Sequence, residues 1–301
     1  MAEPLNARIP DTAWSAVRKV LVVGATGTVG RHVTAQLLER GTAVRALSRD
    51  PGRAAGRLPP AAEVVTGDLT DPASLAAAAR GVDAVFLVWP FAAADGAGAA
   101  VAALTAQGAR MVFLSSAAVR DVPGRGPVSP GRPDAELEAA IAGSGAPHTF
   151  LRPHGFMANA LRWAAESRAS GTVRGFGGGA GTTPVDERDI AAVAVRALTG
   201  PGHDGARHHL TGPASPTRAE QVRIIGEAIG RPVRWEELPR PEALRRMLAS
   251  GWPPPVAEGA LDLLAARIDA PEPVSDTVPA VTGRPARTLR EWAAEHAEHF
   301  R

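Results

Sequence analysis

Gly24, Gly27 and Gly30, spaced by three in KVLVVGATGTVGRHV, are the residues of this chain whose spacing points most directly to a ligand. An apolar run, Val20 to Val23, precedes them, and a helical pattern follows through Leu38. A buried strand, a tight turn and a helix start, in that order, turn unpaired backbone N–H groups and the positive end of a helix dipole toward a phosphate. A glycine triplet alone is a weak signal, but the strand before it and the helix after it supply the context a dinucleotide site requires. An ordinary strand–turn–helix would need only one glycine. Gly24, Ala25, Thr26, Gly27, Thr28, Val29 and Gly30 are the expected phosphate-side contacts.

The second strand bears on which dinucleotide. An NAD site wants Asp or Glu about 20 residues past the glycines, to bond the ribose 2′-OH. Here the segment reads RALSRDP and offers Ser48 and Arg49. Arg49 is a fixed cation suited to a 2′-phosphate, which favours NADP(H) over NAD(H); the alternative is that it points into water. Asp50 is expected to cap the turn at Pro51-Gly52. At the end of the third strand, Asp68 either accepts from the adenine amino group, with Leu69 framing the ring, or merely turns the chain. Val88, Trp89 and Pro90, followed by Phe91, end the fourth strand beside the expected nicotinamide ribose.

Acid–base groups are scarce. Ser115 and Ser116 end the fifth strand, where a hydroxyl can bond a substrate carbonyl or cofactor, although serine is a poor acid; either could equally be a strand-end turn residue. His154 follows Arg152 and Pro153 at the end of the sixth strand, and imidazole titrates near neutrality. It is a candidate for proton transfer or substrate orientation, or else a pocket wall, and Pro153 is expected beside the cofactor. Ser115 and His154 are the two candidate catalytic residues. His148 reads as structural. His208 and His209 adjoin on a strand, so they face opposite ways and cannot chelate one metal together. Asp186 and Asp189 read as helix-start residues. Phe91, His154, Phe156, Met157 and Phe176, with Trp89 and Trp163 nearby in sequence, could line a pocket for a flat aromatic or quinone-like small molecule.

The elements that must position these groups alternate. Strand-like runs at Val20–Val23, Ala43–Leu47, Glu63–Thr66, Ala84–Val88, Arg110–Leu114 and His148–Leu151 are separated by helical stretches at Arg31–Arg40, Pro72–Arg80, Gly96–Gly108 and Pro133–Gly143. This predicts an α/β fold with a doubly wound parallel sheet and a ligand crevice at the carboxyl ends of the strands. Later, Phe156–Ala169 reads as a helix, the Gly-rich Ser170–Thr183 as loop, Asp186–Leu198 as a helix and Arg207–Thr211 as a last strand. Pro216–Ile229, Pro241–Ser250 and Val256–Ala266 read as helices of a smaller lobe. The expected division is a tail over 1–18, a Rossmann domain over 19–155, and a mainly helical substrate lobe over 156–301, with 184–212 returning to the Rossmann core.

Composition narrows the classes. There is no cysteine among 301 residues, so there is no disulfide, thiol nucleophile or Cys-based metal site, and no metal is expected. This fits a cytoplasmic protein. The isoelectric point of 10.1 coexists with a formal charge of only +2. With no Tyr, no Cys and a single Lys, Lys19, little titrates between histidine and arginine, so the value is no sign of nucleic-acid binding. Arginine in place of lysine, with many Ala, Gly and Pro, fits a GC-rich bacterial genome. No apolar run reaches the roughly eighteen residues of a membrane span, and the N-terminus lacks a signal-peptide pattern.

The motifs GATGTVG, VRALSRDP, GDLTD, ELEAAIAGSG around Glu138, TFLRPHGFMANAL, VDERDIAAVAVRAL, HHLTGPASPTRAEQVRIIGEAIGRPVRW and VTGRPARTLREWA together resemble the NmrA-like family of atypical short-chain dehydrogenase/reductases. The resemblance covers most of the chain. It implies a Rossmann fold and an NADPH-dependent reductase of quinones or similar acceptors, or a redox-sensing regulator that binds the cofactor without turnover. The usual acid–base pair of such reductases is Tyr with a Lys four residues on. Counted back from Glu138, the Lys place falls on Asp134 and the Tyr place on Pro130. An NADPH-dependent reductase without the Tyr–Lys pair is thus expected, passing hydride to a quinone, conjugated ketone or polycyclic aromatic. The alternatives are a sensing regulator or a non-redox cyclase or isomerase. Oligomerisation is left open.

Overall fold

A computed structural model describes residues 17–122, 126–128 and 132–301 of the chain. Pro130 and all but the last two residues of the expected tail lie outside the described residues.

Strand β1 (Lys19–Val23) shows why its sequence is nearly all apolar. Val20 and Val22 enter one core layer, Leu21 and Val23 the other. The period-two alternation of a strand divides one run of Val and Leu between two helical layers. The alternation continues through α1 (Gly30–Glu39), β2 (Ala43–Ser48), α2 (Pro51–Ala55), β3 (Glu63–Thr66), α3 (Pro72–Ala79), β4 (Ala84–Leu87), α4 (Ala97–Thr105) and β5 (Arg110–Leu114). A short antiparallel pair, β6 (Arg120–Val122) and β7 (Gly126–Val128), precedes α5 (Arg132–Gly143) and β8 (His148–Pro153). A 3-10 segment, Met157–Trp163, then leads into α6 (Ala164–Ser170), β9 (Thr172–Gly175), α7 (Glu187–Thr199), β10 (Arg207–Leu210), α8 (Arg218–Ile229) and β11 (Arg234–Glu237). The chain ends with α9 (Arg240–Ala249), α10 (Pro254–Asp269), α11 (Thr277–Thr282), α12 (Leu289–Glu295) and a 3-10 turn.

Seven strands form one parallel sheet in the order β10-β8-β5-β4-β1-β2-β3. The order reverses between β1 and β4, and a crevice at the carboxyl ends follows from that reversal. Val33 and Leu37 of α1 and Ile190 to Leu198 of α7 cover one face; Leu75 of α3, Leu104 of α4 and Leu137 of α5 cover the other. Side chains set the helix starts: Asp71 accepts from the Ala73 amide, Asp186 from the Arg188 amide, and Thr217 forms a capping box with Glu220. Each such cap is worth about 1 kcal/mol.

Two expectations need correction. The Gly-rich stretch from Ser170 to Thr183 is not all loop, because β9 pairs in parallel with β11. Its glycines are held as well: Glu237 accepts from the Gly177 and Gly178 amides, and the Gly181 amide donates to Arg267 O. The helix expected over Phe156–Ala169 is split, its first half being 3-10 and only its second half α.

Candidate functional site

The carboxyl ends of β1 to β4 frame a cleft of about 680 Å³ lined by Gly24, Thr26, Gly27, Arg49, Asp68, Leu69, Val88, Pro90 and Phe91. Gly24 has φ of 84°, and a Cβ there would meet Val88 Cβ at 3.0 Å. A Cβ on Gly30 would lie 2.1 Å from Gly24 O. Only glycine lets the start of α1 close onto the end of β1, which leaves a bare peptide surface for a pyrophosphate. Ala25 and Val29 are buried in the core, so only their backbones are available to a ligand. Thr28 is exposed beside the turn.

At the far end of the cleft, Arg49 is joined by Arg53 and Arg57, two residues that sequence reasoning missed. Asp50 places Arg53 by accepting from its amide at 3.0 Å as the N-cap of α2. None of the three guanidinium groups has a hydrogen bond or ion pair among the described residues. Three unpaired cations where the 2′-position of an adenosine ribose would lie fit a phosphate there. Asp68 turns the chain by accepting from both the amide and the hydroxyl of Thr70 at 2.8 Å, and these bonds hold its carboxyl below the usual range. Its carboxylate also lines the cleft. The residues present therefore fit a phosphorylated dinucleotide.

Toward the other end, Trp89 packs edge-on against Phe91, with ring centroids 5.0 Å apart, and its indole N–H donates to Ala93 O. Pro153 is buried at the end of β8. His154, next along the chain, is half-buried, and its Nδ1 lies 3.1 Å from Glu272 Oε2. The same carboxylate oxygen accepts from the Thr183 amide at 2.9 Å and the Thr183 hydroxyl at 3.1 Å. Arg267 Nε lies 3.5 Å from the other oxygen, an ion pair without a hydrogen bond. Burial pushes the Glu272 carboxyl up, but His154, the Thr183 amide and the charge of Arg267 outweigh it and hold the group below its ordinary value. The second ring nitrogen of His154 has no hydrogen-bond partner among the described residues.

Ser115 is placed differently from the expectation for it. Its buried hydroxyl donates to Glu138 Oε1 at 2.5 Å, so its proton is already committed inward. Glu138 also holds Arg152 in a two-bond fork, Nε to Oε1 at 2.9 Å and Nη2 to Oε2 at 2.6 Å. The three residues tie α5 to the ends of β5 and β8. Asp134, one turn before Glu138, has its carboxyl pushed up to about 6 by burial and then by the Glu138 charge.

The remaining candidates separate. Phe156 is half-buried against the sheet core, and Phe176 is half-buried at the start of the Gly-rich stretch. Met157 does not reach the dinucleotide cleft. It is buried with Trp292 and Phe300 and borders a smaller cavity of about 240 Å³ with Pro184 and Leu289. Asp186 pairs with Arg188 and Arg287, and Asp189 with Arg284, so both serve the start of α7 and its ion network. His208 lies 3.1 Å from His203, and burial lowers it to about 4. Among the described residues no three His, Asp or Glu side chains gather as a metal site, and no helix is long and apolar enough to cross a membrane.

A doubly wound parallel sheet with a glycine turn and an arginine-lined cleft at the carboxyl ends of its strands defines a dinucleotide-binding protein of the Rossmann type. Residues 24–201 match the family model described as NAD(P)H-binding, and the chain belongs to that family. It is an NAD(P)H-dependent oxidoreductase of the atypical short-chain dehydrogenase/reductase, NmrA-like group. A (4-alkanoyl-5-oxo-2,5-dihydrofuran-3-yl)methyl phosphate reductase of Streptomyces griseus is 44% identical over 93% of this chain and 99% of its own length. An NAD(P)H azoreductase of Xenophilus azovorans is 38% identical over 93% and 99%. The NADPH complex of an Escherichia coli quinone oxidoreductase shares the fold with a TM-score of 0.77, at 22% identity over 92% of this chain and 99% of that one.

Proposed function

We propose that the chain is an NADPH-dependent reductase of electron-poor conjugated acceptors (a quinone, a conjugated ketone or a polycyclic aromatic) with His154 as its proton donor. The observation that supports this reading is a cleft with three arginines that have no ion pair among the described residues, in a sheet whose β8 runs at its carboxyl end into a histidine held by a buried carboxylate. Relatives named for azo, furanone phosphate and quinone substrates have in common acceptors with electron-poor π bonds, and such acceptors take hydride without an activated carbonyl.

Reduced nicotinamide, when bound, supplies the hydride. The glycine turn and Arg49, Arg53 and Arg57 hold the dinucleotide by its phosphates, which sets the position of the reacting ring. Glu272 accepts from His154 Nδ1–H and so orients the imidazole, leaving Nε2 to carry the mobile proton to the reduced acceptor. Water restores that proton. Phe91, Phe156 and Phe176 supply apolar surface for a flat acceptor. Ser115 acts from behind, through Glu138 and Arg152, by fixing the strand end from which His154 follows.

The test is oxidation of NADPH by a panel of quinones, conjugated butenolides and azo compounds, with NADPH deuterated at C4. Carbon-bound deuterium is expected in the reduced butenolide, and a primary isotope effect on NADPH oxidation with the quinone and azo acceptors, whose O–D or N–D exchanges with water. Tight NADPH binding with no oxidation by any acceptor would overturn the reading in favour of a cofactor sensor.

A further inference from the structure

The C-terminal part of the chain contains an arginine whose side chain has no hydrogen bond or ion pair among the described residues. Arg218, the first residue of α8, is partly buried against a pair of edge-to-face indoles, with its guanidinium carbon 5.5 Å from the Trp163 ring centre and 5.1 Å from that of Trp235. Its Nε is sealed from solvent without a hydrogen bond. No hydrogen bond or ion pair of this side chain exists among the described residues. The charge of Glu237 reaches it without forming an ion pair, and that carboxylate accepts its hydrogen bonds from the Gly177 and Gly178 amides and from Trp235 Nε1. Burial accordingly lowers the Arg218 guanidinium to about 10.

A buried guanidinium without a carboxylate is costly to keep charged, and structural arginines are normally paired. Cation–π contact with the two tryptophans offsets part of that cost, while leaving its N–H groups without a hydrogen bond among the described residues. A second arginine lies close enough to repel it: Arg162, exposed on the 3-10 segment that leads away from His154, stacked on Trp252 at 5.7 Å and bonded only to the neutral Asn159. Two arginines without an ion pair among the described residues, one of them packed on two indoles, therefore repel each other. A bound oxyanion would satisfy both.

We propose that Arg218, with Arg162, receives an oxyanion carried by the acceptor, a phosphate monoester being the group that fits two guanidinium forks best. The lobe thus selects acceptors with a charged arm. This rests on the reductase reading for its kinetic test, and a binding measurement keeps the two apart.

The experiment compares an acceptor bearing a hydroxymethyl arm with its phosphate ester, in wild type and in the Arg162→Gln, Arg218→Lys and Arg218→Gln variants. Wild type is expected to prefer the phosphate ester in kcat/KM by about tenfold or more, the scale of one or two charge-assisted bonds. The preference should collapse in Arg218→Gln and weaken in Arg162→Gln, chiefly through KM. Arg218→Lys keeps the charge without the fork and should retain part of the preference. Arg162 is exposed, so its variant remains informative if an Arg218 variant fails to fold. Calorimetric binding of the phosphate ester to the NADP⁺-loaded protein should show the same order, even if neither compound is reduced. Equal use and equal binding of the two acceptors by wild type, or a preference that survives both glutamine variants, would overturn the proposal. So would inorganic phosphate binding at Arg218 without any preference for the esterified acceptor, which would mark a site for the free ion instead.

Discussion

His154 Nδ1 and Glu272 Oε2 lie 3.1 Å apart, although one residue follows the last strand-end proline of β8 and the other follows α10 in the substrate lobe. The pair therefore joins the parallel sheet to the C-terminal helical part of the chain. Removing the imidazole by His154→Gln should lower kcat by about 10² or more, the usual worth of a positioned acid, while NADPH affinity stays put. A kcat within a factor of about three of wild type would assign the proton to another group.

Glu272→Gln keeps the size of the side chain and removes its charge from beside the ring. The amide can still accept from the ring but no longer holds it by charge, so kcat should fall by about tenfold or more with NADPH affinity unchanged. Steady-state rates and a coenzyme titration on both proteins check this. An unchanged kcat would mean that Glu272 only packs.

Coenzyme choice should follow the arginines. Arg49→Ala or Arg53→Ala should weaken NADPH binding by about 10- to 100-fold per residue, with NADH binding nearly unchanged, because one charge-assisted bond to the 2′-phosphate is lost. Fluorescence titration with both coenzymes gives the ratio.

Asp134 yields a stability test with a definite sign. Its folded-state value of about 6 is above the ordinary aspartate value, so the native state binds the proton more tightly than the unfolded chain does. Its contribution is most favourable below the unfolded value and is lost as pH rises through the folded one. Asp134→Asn should therefore raise stability at pH 7.5 by roughly 1–3 kcal/mol, less any helix-dipole term, and the gain should vanish toward pH 4. Urea unfolding at the two pH values decides it.

The Ser115–Glu138–Arg152 group should be fragile in the opposite sense. Glu138→Ala removes the buried carboxylate that Arg152 and Ser115 both bond, which should cost about 3–5 kcal/mol. Thermal unfolding would reveal this. A small loss would show that water takes the carboxylate's place.

The legible part of this molecule was the part whose signals are local. The glycine turn, the apolar strands and the helix caps each lie within a few neighbouring residues, and Arg49 could be read from its place after β2. Arg53 and Arg57 were not read, because their approach to the cleft depends on α2, a five-residue helix with no periodic signal of its own. Glu272 was hidden for another reason: nothing near it in sequence announces a histidine that folding brings from the sheet. The pairing of β9 with β11 escaped notice because glycine dominates the stretch, and the partner strand RWEE has an exposed, charged end. Ser115 was rightly located at a strand end, but the direction of its hydroxyl depends on Glu138, one long-range contact away.

The three cleft arginines lie on or beside one short helix, while His154 is held at the other end of the sheet from a different part of the chain. In the proposed reaction, recognition of the coenzyme and transfer of the proton thus have no residue in common. A lineage carrying this architecture could exchange one coenzyme for the other by rewriting the few residues from Ser48 to Arg57, and could take on new acceptors by rewriting the lobe, each change heritable without spoiling the other.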